Sequence, residues 1–180
     1  MMISAEFPHL TLVLGGASSG KSLWAEGLVL SSNRSPVYLA TAEPSDREMS
    51  EKIVRHQERR EENWQLIESP IDLAPYFKTV SSDHVILLDC LTLWLSNLMM
   101  AEKNVDFEIT NLLESIANCS APVVCVSNEI GLGMVPDNTL GRRFRDWQGQ
   151  INQRFAAAAN AVTFVAAGLP LVLKAPEGTK

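Results

Sequence analysis

Short apolar runs rich in β-branched residues alternate along the chain with longer amphipathic stretches. The runs Leu10–Leu14, Val37–Ala40, Val85–Asp89, Val123–Ser127 and Val162–Ala166 read as strands, with a late short one at Leu171–Leu173. Helices are predicted to begin near Lys21, Asp46, Thr92, Asp106 and Leu140. Uninterrupted apolar strands separated by helical stretches imply a mostly parallel sheet flanked by helices, an α/β fold. Ligands of such sheets bind beyond the carboxyl ends of the strands. Those ends carry Gly15, Thr41, Asp89 and Asn128. In the stretch Leu140–Ala159, the residues Phe144, Trp147, Ile151 and Phe155 make an apolar stripe, and Arg142, Arg143 and Arg145 cluster near its start. The stretch Asp46–Arg60 is densely charged, yet Met49, Ile53 and His56 share one face.

Composition narrows the class. The chain has 180 residues, 46% hydrophobic and 20% charged, with no internal repeat or linker. That fits a single domain over residues 1–180, with 1–9 as an N-terminal extension, burying about 70% of its unfolded surface without staples. A net charge of −6 argues against broad nucleic-acid binding. No segment approaches the ~20 apolar residues of a membrane span, and Met1–Pro8 lacks the basic region of a signal peptide. Cys90, Cys119 and Cys125 form no CxxC pair, and Cys90 and Cys125 lie in apolar runs. Buried, reduced thiols and a cytoplasmic location are expected.

The strongest chemical signal is Gly15-Gly16-Ala17-Ser18-Ser19-Gly20-Lys21-Ser22, which matches G-x-x-x-x-G-K-[ST] between a strand and a helix. Glycines let successive N–H groups turn toward one anion, and the helix N-terminus adds partial positive charge. Lys21 is placed to reach the terminal phosphates of a nucleoside triphosphate, and the Ser22 hydroxyl to ligate Mg²⁺. Asp89, closing an apolar strand, is the expected second metal ligand, although an aspartate there also suits a helix N-cap, with Thr92 competing for that role. The Asn-Lys-x-Asp guanine-reading motif does not occur.

The other polar clusters leave alternatives open. His9 and His84 precede strands and read as surface or edge residues. His56 has Arg55, Arg59 and Arg60 around it. Neighbouring arginines favour neutral imidazole, a good nucleophile toward phosphorus, and can hold the anion it attacks. Packing of His56 on the Met49/Ile53 face is the competing role. The segment from Ser127 to Pro136 reads as a loop at the ligand edge, whose Asn128 and Glu129 either touch substrate or merely turn the chain. The Arg142, Arg143 and Arg145 group either binds a phosphate on a second substrate or is surface charge.

Taken in order, these clusters resemble the bifunctional cobinamide kinase / cobinamide-phosphate guanylyltransferase family of adenosylcobalamin synthesis, from about Leu12 to Lys174. The resemblance rests on the phosphate loop, on Tyr38, Ala40 and Thr41, on Ile53 and His56 followed by Arg60 and Trp64, and on Glu68. It continues through Leu87–Thr92, Asn128–Pro136, Arg143, Arg145, Asp146 and Asn152–Arg154. It implies a RecA-like P-loop NTPase fold and two reactions. The γ-phosphate of ATP or GTP passes to adenosylcobinamide, and GMP from GTP then passes through a guanylyl-histidine to adenosylcobinamide phosphate. By the resemblance, His56 is the guanylylated residue. Thr41, Ala42, Glu43, Gln57, Glu58, Arg59, Arg60, Glu68 and Asp89 line the GTP site with Gly15–Ser22, and the assembly is a homotrimer. Ser18 and Arg60-Glu61 stand where family members often carry Arg and Arg-Pro. A P-loop kinase of another small molecule, without covalent GMP, and a nucleotide-dependent switch module are the alternative readings.

Overall fold

The computed structural model describes residues 7–42 and 63–176. Their elements in chain order are strand β1 (Leu10–Gly15), helix α1 (Lys21–Leu30), β2 (Ser35–Ala40), β3 (Gln65–Glu68), α2 (Ala74–Phe77), β4 (His84–Asp89), α3 (Leu91–Met100), α4 (Val105–Ala117), β5 (Val123–Asn128), α5 (Thr139–Ala158), β6 (Ala161–Ala166) and β7 (Leu169–Lys174). The strands form one sheet in the order β3-β2-β4-β5-β1-β6-β7. Every neighbouring pair is parallel except β6 and β7.

The central strands are apolar over most of their length because both faces of the sheet are covered. Successive side chains point to opposite faces. Leu10, Leu12 and Leu14 of β1 enter a core with Leu91, Leu95 and Leu98 of α3, Ile109 and Leu112 of α4, and Ile151 and Phe155 of α5. Val13 enters the opposite core with Val85, Leu87, Val124 and Val126, under Ala25 and Val29 of α1. In α3 the residues Leu91, Trp94, Leu95 and Leu98 are all buried, at helical spacing. Each such leucine contributes about 1.5–3 kcal/mol by leaving water. The Trp94 indole N–H donates to Ile71 O at 2.9 Å, so its one polar atom is satisfied.

The predicted strands and helices are present wherever they fall on described residues, with α3, α4 and α5 each starting one residue before the expected position. The helix expected near Asp46 lies outside the described residues. Two elements were not expected. Strand β3 pairs Gln65–Glu68 with Val37–Ala40 at the sheet edge, where only one neighbour is needed and an apolar run is not. Helix α2 is a single short turn. Strand β7 is longer than Leu171–Leu173 and runs antiparallel to β6, joined through Ala167 (φ 52°) and Gly168 (φ 76°), the two left-handed residues of a tight hairpin turn. Thr92 does not cap α3. Cys90 is the N-cap, and the Thr92 hydroxyl accepts from Asn128 N–H at 2.9 Å, joining α3 to β5.

Candidate functional site

The sheet brings Gly15, Ala40, Glu68, Asp89 and Asn128 to one edge. Gly15 sits opposite Asn128 and Val165, and Ala40 opposite Glu68 and Asp89. The phosphate loop leaves this edge at its centre. Within it, Gly16 O accepts from Ser19 N–H at 3.3 Å and from Lys21 Nζ at 3.1 Å. Ser18 (φ 56°) and Gly20 (φ 92°) take the left-handed conformation that curls the loop. A Cβ on Gly15 would lie 2.5 Å from both Ser19 Oγ and Val165 O, so the first glycine is required by close approach.

Helix α1 then starts at Lys21. Its N-cap is Gly20, with no side-chain cap and no acidic residue in the first turn. The helix therefore presents its N-terminal N–H groups and positive end without a capping side chain or a first-turn carboxylate, the arrangement that holds an anion. The Ser19 hydroxyl is buried with no hydrogen-bond partner among the described residues. Its place within the phosphate loop leaves it available to a bound phosphate. The loop is braced from outside, because Gly168 N–H donates to Ser19 O at 2.8 Å.

Asp89 ends β4, half-buried, and its Oδ2 accepts from the Tyr38 hydroxyl at 2.9 Å. Ser22 is the second residue of α1. A carboxylate and a hydroxyl are hard oxygen donors that suit Mg²⁺. Among the described residues no three His, Cys, Asp or Glu side chains gather as a metal cage.

Behind the edge, two buried polar networks set its shape. Thr41 is fully buried, and its Oγ accepts from Cys90 N–H and donates to Cys90 O, both at 2.8 Å. Asn97 Nδ2 donates to Thr41 O and Pro70 O at 2.9 and 3.0 Å. The Thr41 side chain is thus committed to the scaffold. On the other side, Gln148 Nε2 donates to Ser127 Oγ (2.9 Å) and Asn152 Oδ1 (3.0 Å), Ser127 Oγ donates to the same Asn152 oxygen (2.7 Å), and Asn152 Nδ2 donates to Asn128 O (3.0 Å). Helix α5 thereby fixes the end of β5, leaving the buried Asn128 Oδ1 without a partner among the described residues.

Of the expected site residues, Gly15, Gly16, Ala17, Ser18, Ser19, Gly20, Lys21 and Ser22 form the loop, and Thr41, Ala42, Glu68 and Asp89 lie along the same edge. Glu68 is exposed at the end of β3. His56, Glu43, Gln57, Glu58, Arg59 and Arg60 lie outside the described residues. His84 meets Ser81 and Asp83 at the surface, and the His9 ring bonds Ile116 O at 3.0 Å. Arg142 donates to Pro136 O and Asp137 O and Arg145 to Gly131 O, so both strap the β5–α5 loop, while Arg143 is exposed. All three cysteines are buried and free. Burial, with the Asp89 charge second, pushes the Cys90 thiol up to about 11, and burial pushes Cys125 up further. Sequence reasoning missed the roles of Asn97, Gln148 and Gly168. Only the glycine left a signal, a lone glycine between two apolar runs.

A model of the family described as cobinamide kinase / cobinamide phosphate guanyltransferase matches residues 11–173. The chain is 42% identical over 166 residues to the bifunctional adenosylcobalamin biosynthesis protein CobP of Pseudomonas aeruginosa, covering 91% of this chain and 96% of that protein. It is 36% identical over 181 residues to the bifunctional adenosylcobalamin biosynthesis protein CobU of Escherichia coli, covering 92% and 99%. Among solved structures, the flagellar accessory protein FlaH of Methanocaldococcus jannaschii shares the fold, with a TM-score of 0.53 at 16% identity over 94% of this chain and 80% of that one.

Proposed function

The chain belongs to the cobinamide kinase / cobinamide phosphate guanyltransferase family, and on that premise we propose how one nucleotide-binding edge serves both reactions. In the kinase step the aminopropanol hydroxyl of adenosylcobinamide bonds to the γ-phosphorus of ATP or GTP. The bond to the β,γ-bridging oxygen breaks, the hydroxyl proton is released, and a nucleoside diphosphate leaves. In the transferase step a neutral nitrogen of His56 attacks the α-phosphorus of GTP and pyrophosphate leaves. The phosphate of adenosylcobinamide phosphate then takes the GMP from His56, restoring the imidazole and giving adenosylcobinamide-GDP.

The observation that carries this reading is the open, uncapped start of α1 with Lys21 beside it, on the edge that ends in Asp89. The amides of the Gly15–Ser22 loop and Lys21 hold the phosphates and stabilise charge on the group in transfer. Ser22 and Asp89 would hold Mg²⁺, which would supply further neutralisation of that charge. Thr41, Ala42, Glu43, Gln57, Glu58, Arg59, Arg60 and Glu68 complete the GTP site by family resemblance. A covalent GMP divides one difficult transfer into two displacements. On the same resemblance the protein works as a cytoplasmic homotrimer. No helix among the described residues is long and apolar enough to cross a membrane.

Incubation with Mg²⁺ and GTP labelled at the α- or the γ-phosphate tests the reading. Label retained from the α-position alone, acid-labile, base-stable and lost in His56→Ala, is the expected result. Lys21→Ala is expected to lose both activities. Wild-type protein that binds GTP but retains no α-label would overturn the transferase half.

A further inference from the structure

The loop between β5 and α5 starts at the phosphate loop, where Glu129 N–H donates to Gly15 O at 3.0 Å. It then turns large apolar side chains to solvent. Leu132 is 85% exposed, Met134 94%, Val135 67%, and Leu140 in the first turn of α5 66%. Single exposed apolar residues are ordinary, but a contiguous group beside a ligand edge marks a binding surface. The loop is also held in shape. Gly131 N–H donates to Glu129 Oε1 at 2.5 Å, and Arg145 donates to Gly131 O at 2.7 Å. Arg142 donates to Pro136 O at 3.1 Å and Asp137 O at 2.9 Å, and Asn138 caps α5 by accepting from Gly141 N–H at 2.7 Å. Backbone fixed by that many bonds, with its outward side chains apolar, is preorganised for contact.

Charge distinguishes one more residue. Arg142 and Arg145 spend their guanidinium groups on the loop carbonyls, whereas Arg143 is exposed and makes no bond among the described residues. It follows Leu140 by three positions on α5, so the two are neighbours on the helix surface. The surface thus offers apolar contact with one unspent cation at its rim, next to the phosphate loop.

We propose that this surface docks the corrinoid acceptor. The macrocycle lies on Leu132, Met134, Val135 and Leu140, and Arg143 receives the phosphate that the acceptor carries in the transferase step. The proposal rests on the family function described above and assigns the acceptor side of the same site. Continuity with the nucleotide edge and the match between Arg143 and an anionic acceptor favour this occupant over a second copy of the chain.

The test uses the full-length protein with dicyanocobinamide as the binding probe and adenosylcobinamide and its phosphate as substrates. The double variant Leu132→Asn/Met134→Asn is expected to raise KM for both acceptors about tenfold or more. GTP affinity, α-label retention, thermal midpoint and oligomer mass should remain those of the wild type. Arg143→Ala is expected to raise KM for the phosphorylated acceptor alone. An unchanged acceptor KM in the folded double variant overturns the proposal. A change in oligomer mass by light scattering, with activity lost in proportion, assigns the surface to a second copy and also overturns it. Wild-type protein that neither binds dicyanocobinamide nor phosphorylates cobinamide would overturn the functional reading itself, and this proposal with it.

Discussion

The N–H of Gly168, at the tip of the β6–β7 hairpin, donates to Ser19 O in the phosphate loop at 2.8 Å. The bond joins residues far apart in sequence, and it depends on Gly168 holding φ at 76°. A side chain there meets nothing within 4 Å, so the cost of Gly168→Ala is conformational rather than steric. That cost is about 1–2 kcal/mol, a fall of about 2–8 °C in thermal midpoint for a chain of this size. Differential scanning calorimetry should find it, and GTP titration should find weaker binding because the loop loses its brace.

The first two glycines of the phosphate loop should respond differently. Gly15→Ala places a methyl 2.5 Å from Val165 O, a backbone atom in the β1–β6 pairing that cannot swing away. A loss of about 1–3 kcal/mol or more is expected. A Cβ on Gly16 meets nothing within 4 Å, so Gly16→Ala should change stability by less than about 0.5 kcal/mol. Urea denaturation of the two variants provides the comparison, and equal midpoints would contradict the geometry.

Thr41→Val keeps the shape of a fully buried residue and removes both bonds to the Cys90 backbone. The Cys90 N–H then stays buried without its partner, at a cost of about 1–3 kcal/mol. Chemical denaturation should show that loss, with the Asp89 edge loosened and Mg²⁺-dependent nucleotide binding weakened.

The buried thiols give a pH prediction. In the folded chain the Cys90 thiol titrates near 11 rather than at its ordinary 9.0, because burial disfavours the thiolate and the Asp89 charge adds to that. The stabilisation from keeping it protonated is full below pH 9.0 and is lost as the pH rises through about 11. Alkaline solution should therefore favour unfolding. At pH 8, mass spectrometry after iodoacetamide treatment should find Cys90 and Cys125 unmodified in native protein and alkylated in guanidinium. Rapid native labelling of either would contradict their burial.

The sequence by itself determined the parallel core and the nucleotide loop. Uninterrupted apolar runs suit only a sheet covered on both faces, and Gly15–Ser22 encodes its conformation in its own residues. The α5 stripe of Phe144, Trp147, Ile151 and Phe155 was legible for the same local reason, since helical periodicity records which side meets the core. What the tertiary structure decided was everything that joins residues distant in the chain. The edge strand β3 has no pattern of its own because it needs only the one neighbour, β2. Thr92 reads as a cap in sequence but faces Asn128, and the partner of the Thr41 hydroxyl, the Cys90 backbone, is nowhere legible in the local pattern. The adjacent arginines look alike in sequence, yet folding engages Arg142 and Arg145 with loop carbonyls and leaves Arg143 exposed. Hydrogen-bond partners across a fold are fixed by which elements pack together, and no local pattern of polar and apolar residues carries that choice.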